Sequence, residues 1–166
     1  MATIKTAYAA SVAATITLNA LASDATNMLA GRSSAVIDNT SSNLYLDYLV
    51  GGTVESGTSP TAGTIEVWAW AILNDTPTYP DVITGSDANA TITTRNILAG
   101  FGRLVASMPV TATTNVKYPF GPVSLASLFG GSCPEKFGFF VVHNTVAALA
   151  SAGNVISVTP VYATAV

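Results

Sequence analysis

A chain of 166 residues has room for one domain, expected over residues 1–166, and for a core that needs no disulfide or metal to hold it. Its 6 basic and 9 acidic residues give a net charge of -3 with no basic run, which excludes the clustered cations that nucleic-acid binding requires. No apolar run reaches the about 18 residues of a membrane span.

Charged residues are 9% of the chain, against about 25% in ordinary soluble proteins, or roughly one per 500 Å² of the surface expected at this size. Polarity comes instead from 22 Thr and 15 Ser. Such a surface is neutral and is covered by another protein at little desolvation cost, so it suits assembly.

In chain order, Val12, Ala14, Ile16 and Leu18 alternate with Ala13, Thr15, Thr17 and Asn19, the period of a strand with one face in the core. Ala20-Leu21-Ala22 has the form of a signal-peptide cleavage site, but Thr15, Thr17 and Asn19 interrupt the apolar run a leader needs. Asp24 to Leu29 reads as a turn or short helical piece, and Ser33 to Ile37 as a second strand. Leu44 to Val50 is a third, bent off at Gly51-Gly52. Gly57 to Gly63, with Pro60, is a loop whose flanking strands are expected to form a hairpin.

The central element is Thr64 to Leu73. Trp68 and Trp70 fall on one face of this strand and Val67, Ala69 and Ala71 on the other, so both faces are apolar and the strand belongs in a sheet covered on both sides. Asn74 to Asp87 is a loop. Ile92 starts an edge strand or leads into a short helix around Ile97, ended by Gly100 and Gly102. Arg103 to Met108 is a strand stopped by Pro109, and Val116 to Phe120 one that runs into Gly121-Pro122. Val123 to Phe129 fits a short helix with Gly130 at its end. Phe137 to His143 and Val155 to Tyr162 complete the set. The spacing predicts an all-β protein, a jelly-roll or Greek-key β-sandwich with one or two short helices. Charge is absent from Thr6 to Ser23 and from everything after Lys136, so both ends are expected to be buried or covered.

The search for chemistry yields no catalytic, cofactor-binding or metal site, and no enzyme is expected. His143 is the single histidine, which rules out a multi-histidine zinc site, and no Gly-X-Ser-X-Gly nucleophile turn accompanies it. Cys133 is the single cysteine and reads as a small hydrophobe. Gly100-Phe101-Gly102 opens like a dinucleotide fingerprint without its third glycine. Asp75, Asp81 and Asp87 share a loop but not the spacing of a calcium loop. Trp68, Trp70, Tyr45 and Tyr48 are either core residues, the favoured reading, or an aromatic platform for sugar rings. Asn39, Asn74 and Asn89 stand in Asn-X-Ser/Thr triplets, which arise by chance in so Ser- and Thr-rich a chain.

Several stretches together carry a resemblance: Met1 to Leu18, Asn43-Leu44-Tyr45-Leu46-Asp47-Tyr48, Ile65-Glu66-Val67-Trp68, Asp75 to Asp81, Phe120-Gly121-Pro122-Val123-Ser124 and His143-Asn144-Thr145. Through them the chain resembles a family of small tailed-bacteriophage virion structural proteins. The resemblance implies a capsid decoration, or cement, protein on the outer surface of the virion, made in the host cytoplasm. Its implied partners are the major capsid protein and further copies of itself, as a trimer. A tail- or fibre-associated protein, a glycan-binding adhesin and a cell-wall hydrolase are the other classes; the adhesin requires an exposed aromatic cluster and the hydrolase a cleft with paired carboxylates, for which the sequence offers nothing convincing.

Overall fold

The computed structural model describes residues 3–40, 45–74 and 78–166. Its elements are β1 (Ile4–Tyr8), β2 (Val12–Ala13), β3 (Ala30–Ser33), β4 (Ile37–Asp38), β5 (Asp47–Glu55), β6 (Gly63–Ala71), β7 (Ala88–Thr91), α1 (Arg95–Phe101), β8 (Arg103–Val110), β9 (Lys117–Ser124), α2 (Leu125–Leu128), β10 (Lys136–His143) and β11 (Val155–Ala165). Two antiparallel sheets face each other, as expected of an all-β sandwich. The first has the order β1-β11-β5-β9, with β2 also on β11; the second has the order β7-β3-β10-β6-β8, with β4 also on β10.

The inward faces meet in one apolar core. Val50, Val54, Ile156 and Val158 enter it from the first sheet, and Ile65, Val67, Ala69, Phe137, Phe139 and Val141 from the second. Close packing sets some residues: Gly138 pairs with Trp70, and a Cβ there would lie 2.3 Å from the indole ring, so only glycine leaves room for it.

The second sheet is apolar on its outward face too, as the two-sided pattern of Thr64 to Leu73 implies. Trp70, Phe140 and Val142 point outward under a second cluster made by Leu29, Ile83, Ala90, Ile92 and Leu98. Helix α1 lies in this cover. Thr94 caps it by accepting a bond from the Ile97 amide at 3.2 Å, and Gly102 closes it by donating to Leu98 O at 2.7 Å.

Six sequence expectations need correction, the first being the strand over Ser33 to Ile37: β3 ends at Ser33 and β4 begins at Ile37, with the residues between them in no strand. The strand read over Val12 to Asn19 pairs only at Val12–Ala13. Beyond it the chain stays extended with Ala14, Ile16 and Leu18 turned inward, but it crosses from one sheet to the other: the Ala14 amide donates to Ile156 O at 2.8 Å, and Thr15 O accepts from the Ala35 amide at 2.8 Å. The alternation was therefore a burial pattern without a ladder. The hairpin expected of Leu44 to Val50 with Thr64 to Leu73 does not form, because β5 and β6 belong to different sheets; Leu44 itself lies outside the described residues. Strand β5 runs past Val50, where it was expected to stop, to Glu55, and Gly51-Gly52, expected to bend it, coincides with an irregularity in its pairing with β9.

Pro109 and Gly121-Pro122 do not end their strands either. Both β8 and β9 are sheet edges, where a missing amide donor costs no ladder bond. Finally, the uncharged N-terminal stretch is not covered. Within Thr6 to Ser23, Thr6 is exposed, Tyr8 to 61% and Val12 to 58%, and in the uncharged C-terminal stretch Val146 and Val166 are exposed as well; β1 is an edge that the sequence pattern did not reveal.

Candidate functional site

The side chains singled out in the sequence do not converge. Trp70 is fully buried, its indole N–H donating to Phe139 O at 3.1 Å and its ring edge-on to Tyr79. Trp68 is half-buried beside it. Its N–H donates to Glu66 Oε2 at 2.8 Å, and the Arg95 guanidinium sits 5.4 Å from the ring centroid while binding both Glu66 oxygens at 2.8 and 3.1 Å. This arrangement pins α1 onto the sheet. Tyr45 and Tyr48 belong to the other sheet's inward side, where Tyr48 is buried against Phe137. The four rings thus form no common platform, and the core reading of the tryptophans is the one the packing supports.

His143 is completely buried at the end of β10. Its Nε2 lies 3.1 Å from Leu21 O and its Nδ1 2.9 Å from Thr145 Oγ1. A carbonyl only accepts, so Nε2 carries a proton, while the single proton of the Thr145 hydroxyl is shared between Nδ1 and Ala147 O, 3.2 Å away. Burial lowers the histidine's pKa, opposed by its bonds to Leu21 and Ala22. The ring is a clasp: it joins the crossing segment near Leu21 to the turn at Thr145.

Cys133 is half-buried, with its thiol pushed up to about 12 by burial and then by the charge of Asp47, far from the range of a reactive thiolate. Asn39 is buried. Its amide donates to Tyr45 O and its oxygen accepts from the Tyr45 amide and the Tyr48 hydroxyl, so it is occupied as a structural bracket. Asn74 and Asn89 are exposed, and Asn89 accepts a bond from Arg32 at 3.1 Å.

Of the three loop aspartates, Asp75 lies outside the described residues. Asp81 accepts from the Thr93 amide and hydroxyl at 2.8 and 2.7 Å. Asp87 binds the Thr17 amide and hydroxyl at 3.0 and 2.6 Å and Arg32 Nε at 2.6 Å. Burial raises the Asp87 carboxyl, but these partners more than offset it and hold its pKa below the usual value. Both carboxylates therefore serve as loop ties, and among the described residues no group of three or more His, Cys, Asp or Glu side chains is placed to hold a metal. Gly100 and Gly102 lie at the end of α1, whereas a phosphate-cradling loop precedes its helix. No helix is long and apolar enough to cross a membrane.

What remains as a site is a surface. The outward face of the first sheet carries Ile4, Thr6 and Tyr8 from β1, Ser157, Thr159, Val161, Ala163 and Ala165 from β11, and Leu49, Gly51 and Thr53 from β5, in register across the strands. No charge interrupts this set. Asp47 stands at one end, engaged in holding α2 through the Ser124 hydroxyl at 2.6 Å and the Ala126 amide at 2.7 Å. At the other end Glu55 and Lys117 face each other. The two-sided pattern of Thr64 to Leu73 marked the second sheet as covered, but nothing in the sequence marked the outward face of the first sheet as bare.

Compared with known proteins, the chain matches no family model, and neither a curated protein nor a solved structure matches it significantly.

Proposed function

We propose that the protein is a non-enzymatic virion component of a tailed phage, a decoration protein that lays the bare face of its first sheet on the capsid and bridges neighbouring major capsid subunits. The observation that carries this reading is the uncharged outward face of β1, β11 and β5, set against a second sheet whose outward face the chain covers itself. A Ser-, Thr- and Ala-rich patch of this kind loses little hydration energy when covered, and attachment through it rests on burial and hydrogen bonds rather than on ion pairs. The resemblance to small phage structural proteins supports the same reading, as does self-association among its implied partners.

A protein that binds only the assembled shell stabilises it by mass action. Particles carrying the protein are therefore expected to release their genome at a higher temperature than stripped particles, and moderate salt should not detach it. A reconstruction should place its density on the outside of the head. Equal release temperatures, or density confined to the tail, would refute the decoration reading, and the latter would favour a tail- or fibre-associated role.

A further inference from the structure

We infer that the free edge of β1 is a self-pairing edge, and that two copies join there about a two-fold axis through Thr6, fusing their first sheets into one. The inference rests on the self-association in the reading above and sets it at two copies, in place of the trimer that the resemblance implies. Strand β1 lies at the end of its sheet. Thr3 and Val166 exchange both main-chain bonds at 2.9 Å, and the Ala9 amide donates to Pro160 O at 2.9 Å, so residues 3, 5, 7 and 9 face β11. By the alternation of antiparallel ladders, the amides and carbonyls of Ile4, Thr6 and Tyr8 point away from the sheet, where no described residue pairs with them.

An open edge invites another strand unless charge, proline or a bulge blunts it. Between Thr3 and Tyr8 the single such device is Lys5. A two-fold centred on Thr6 sets Ile4 opposite Tyr8, Thr6 opposite Thr6, and Lys5 opposite Ala7, so the lysines of the two copies do not meet. The same register brings the outward-pointing groups of residues 4, 6 and 8 against those of 8, 6 and 4, which gives about six main-chain hydrogen bonds. It also forms two aromatic–β-branched cross-strand pairs from the most exposed apolar side chains of β1. These pairs lie on the bare outward face, which pairing doubles. Because the contact is isologous, it closes at two copies.

The test uses the purified full chain. Sedimentation over a rising concentration series should show a species of twice the 16.9 kDa chain mass. Thr6→Pro should abolish it, because the amide it removes is one that β11 does not use, while the thermal unfolding of the variant stays close to that of the parent. In a Cys133→Ser background, Thr6→Cys should cross-link two copies under mild oxidation, since facing residues of a hydrogen-bonded pair lie about 5.5 Å apart. Ile4→Cys should not, its two copies being about 14 Å apart in this register. A wild-type monomer at every concentration, a trimer, or equal cross-linking at positions 4 and 6 would overturn the inference. If Thr6→Pro fails to fold, the cysteine pair decides alone. Failure here leaves shell attachment untouched, since that is read on particles.

Discussion

The two sheets of this sandwich share one core and differ in how their outward faces are finished. The outward face of the second is apolar, with Trp70, Phe140 and Val142, and the chain covers it with α1 and the segment around Ile83 and Ile92. The outward face of the first is assembled from Thr, Ser, Ala and Gly with the exposed Ile4 and Tyr8, and of the residues named on it Val161 alone is buried. The difference separates stability from association. One face is part of the fold, and the other is the face that the proposed shell contact uses.

The largest expected effect of breaking that contrast is at Trp70. Trp70→Ala should cost on the order of 3 to 5 kcal/mol in chemical denaturation, as for other buried large-to-small changes, because the ring over Gly138 has no replacement. A loss under about 1 kcal/mol would mean the outer cover contributes little to the fold. Next comes the clasp that holds the α1 side of the contrast. Glu66→Gln keeps the shape but removes the charge that Arg95 grips, and since Arg95 is 40% exposed the expected loss is only about 1 kcal/mol. Hydrogen exchange in α1 should rise more than in β11. At the small end, Thr159→Lys on the bare face should change unfolding by less than about 0.5 kcal/mol while sharply weakening attachment to shells in a co-sedimentation assay.

A pH scan probes the core that both sheets share. His143 has a folded pKa below its unfolded value of 6.5, so the unfolded chain binds the proton first. Stability is therefore complete above about pH 6.5 and falls as the pH drops through the window beneath it, by no more than about 1.4 kcal/mol per pH unit for one proton. His143→Gln should be less stable at neutral pH but flat across that window. A parent chain with no slope there would show that the buried ring does not titrate with unfolding.

How much of this could be read from the chain follows from where each signal resides. Thr64 to Leu73 was legible as a strand covered on both sides because apolar residues stand on both of its faces, with Glu66 as the one charge. Val12 to Asn19 was legible only as a burial pattern: the inward turn of Ile16 and Leu18 is local, but the decision to cross between sheets depends on Ala35 and Ile156. Pro109 and Pro122 read as stops because sequence does not say which strands are edges. For the same reason β1 escaped notice, since a strand with no buried face has no apolar period to find. The partners of His143 were out of reach, Leu21 being 122 positions away.

The crossing segment between Val12 and Leu18 has a mechanical consequence. In a sandwich the sheets are held by side-chain contact across the core and by the connections that pass between them. Here a length of main chain spans the gap, hydrogen-bonded to β11 at one end through Ala14 and to Ala35 at the other through Thr15, with Leu18 anchored in the core beyond. Its covalent continuity makes it a tie rod. A load that parts the sheets puts these main-chain bonds and the Thr17–Asp87 tie under tension together with the core, so the two leaves come apart as one event and not by gradual peeling from that side.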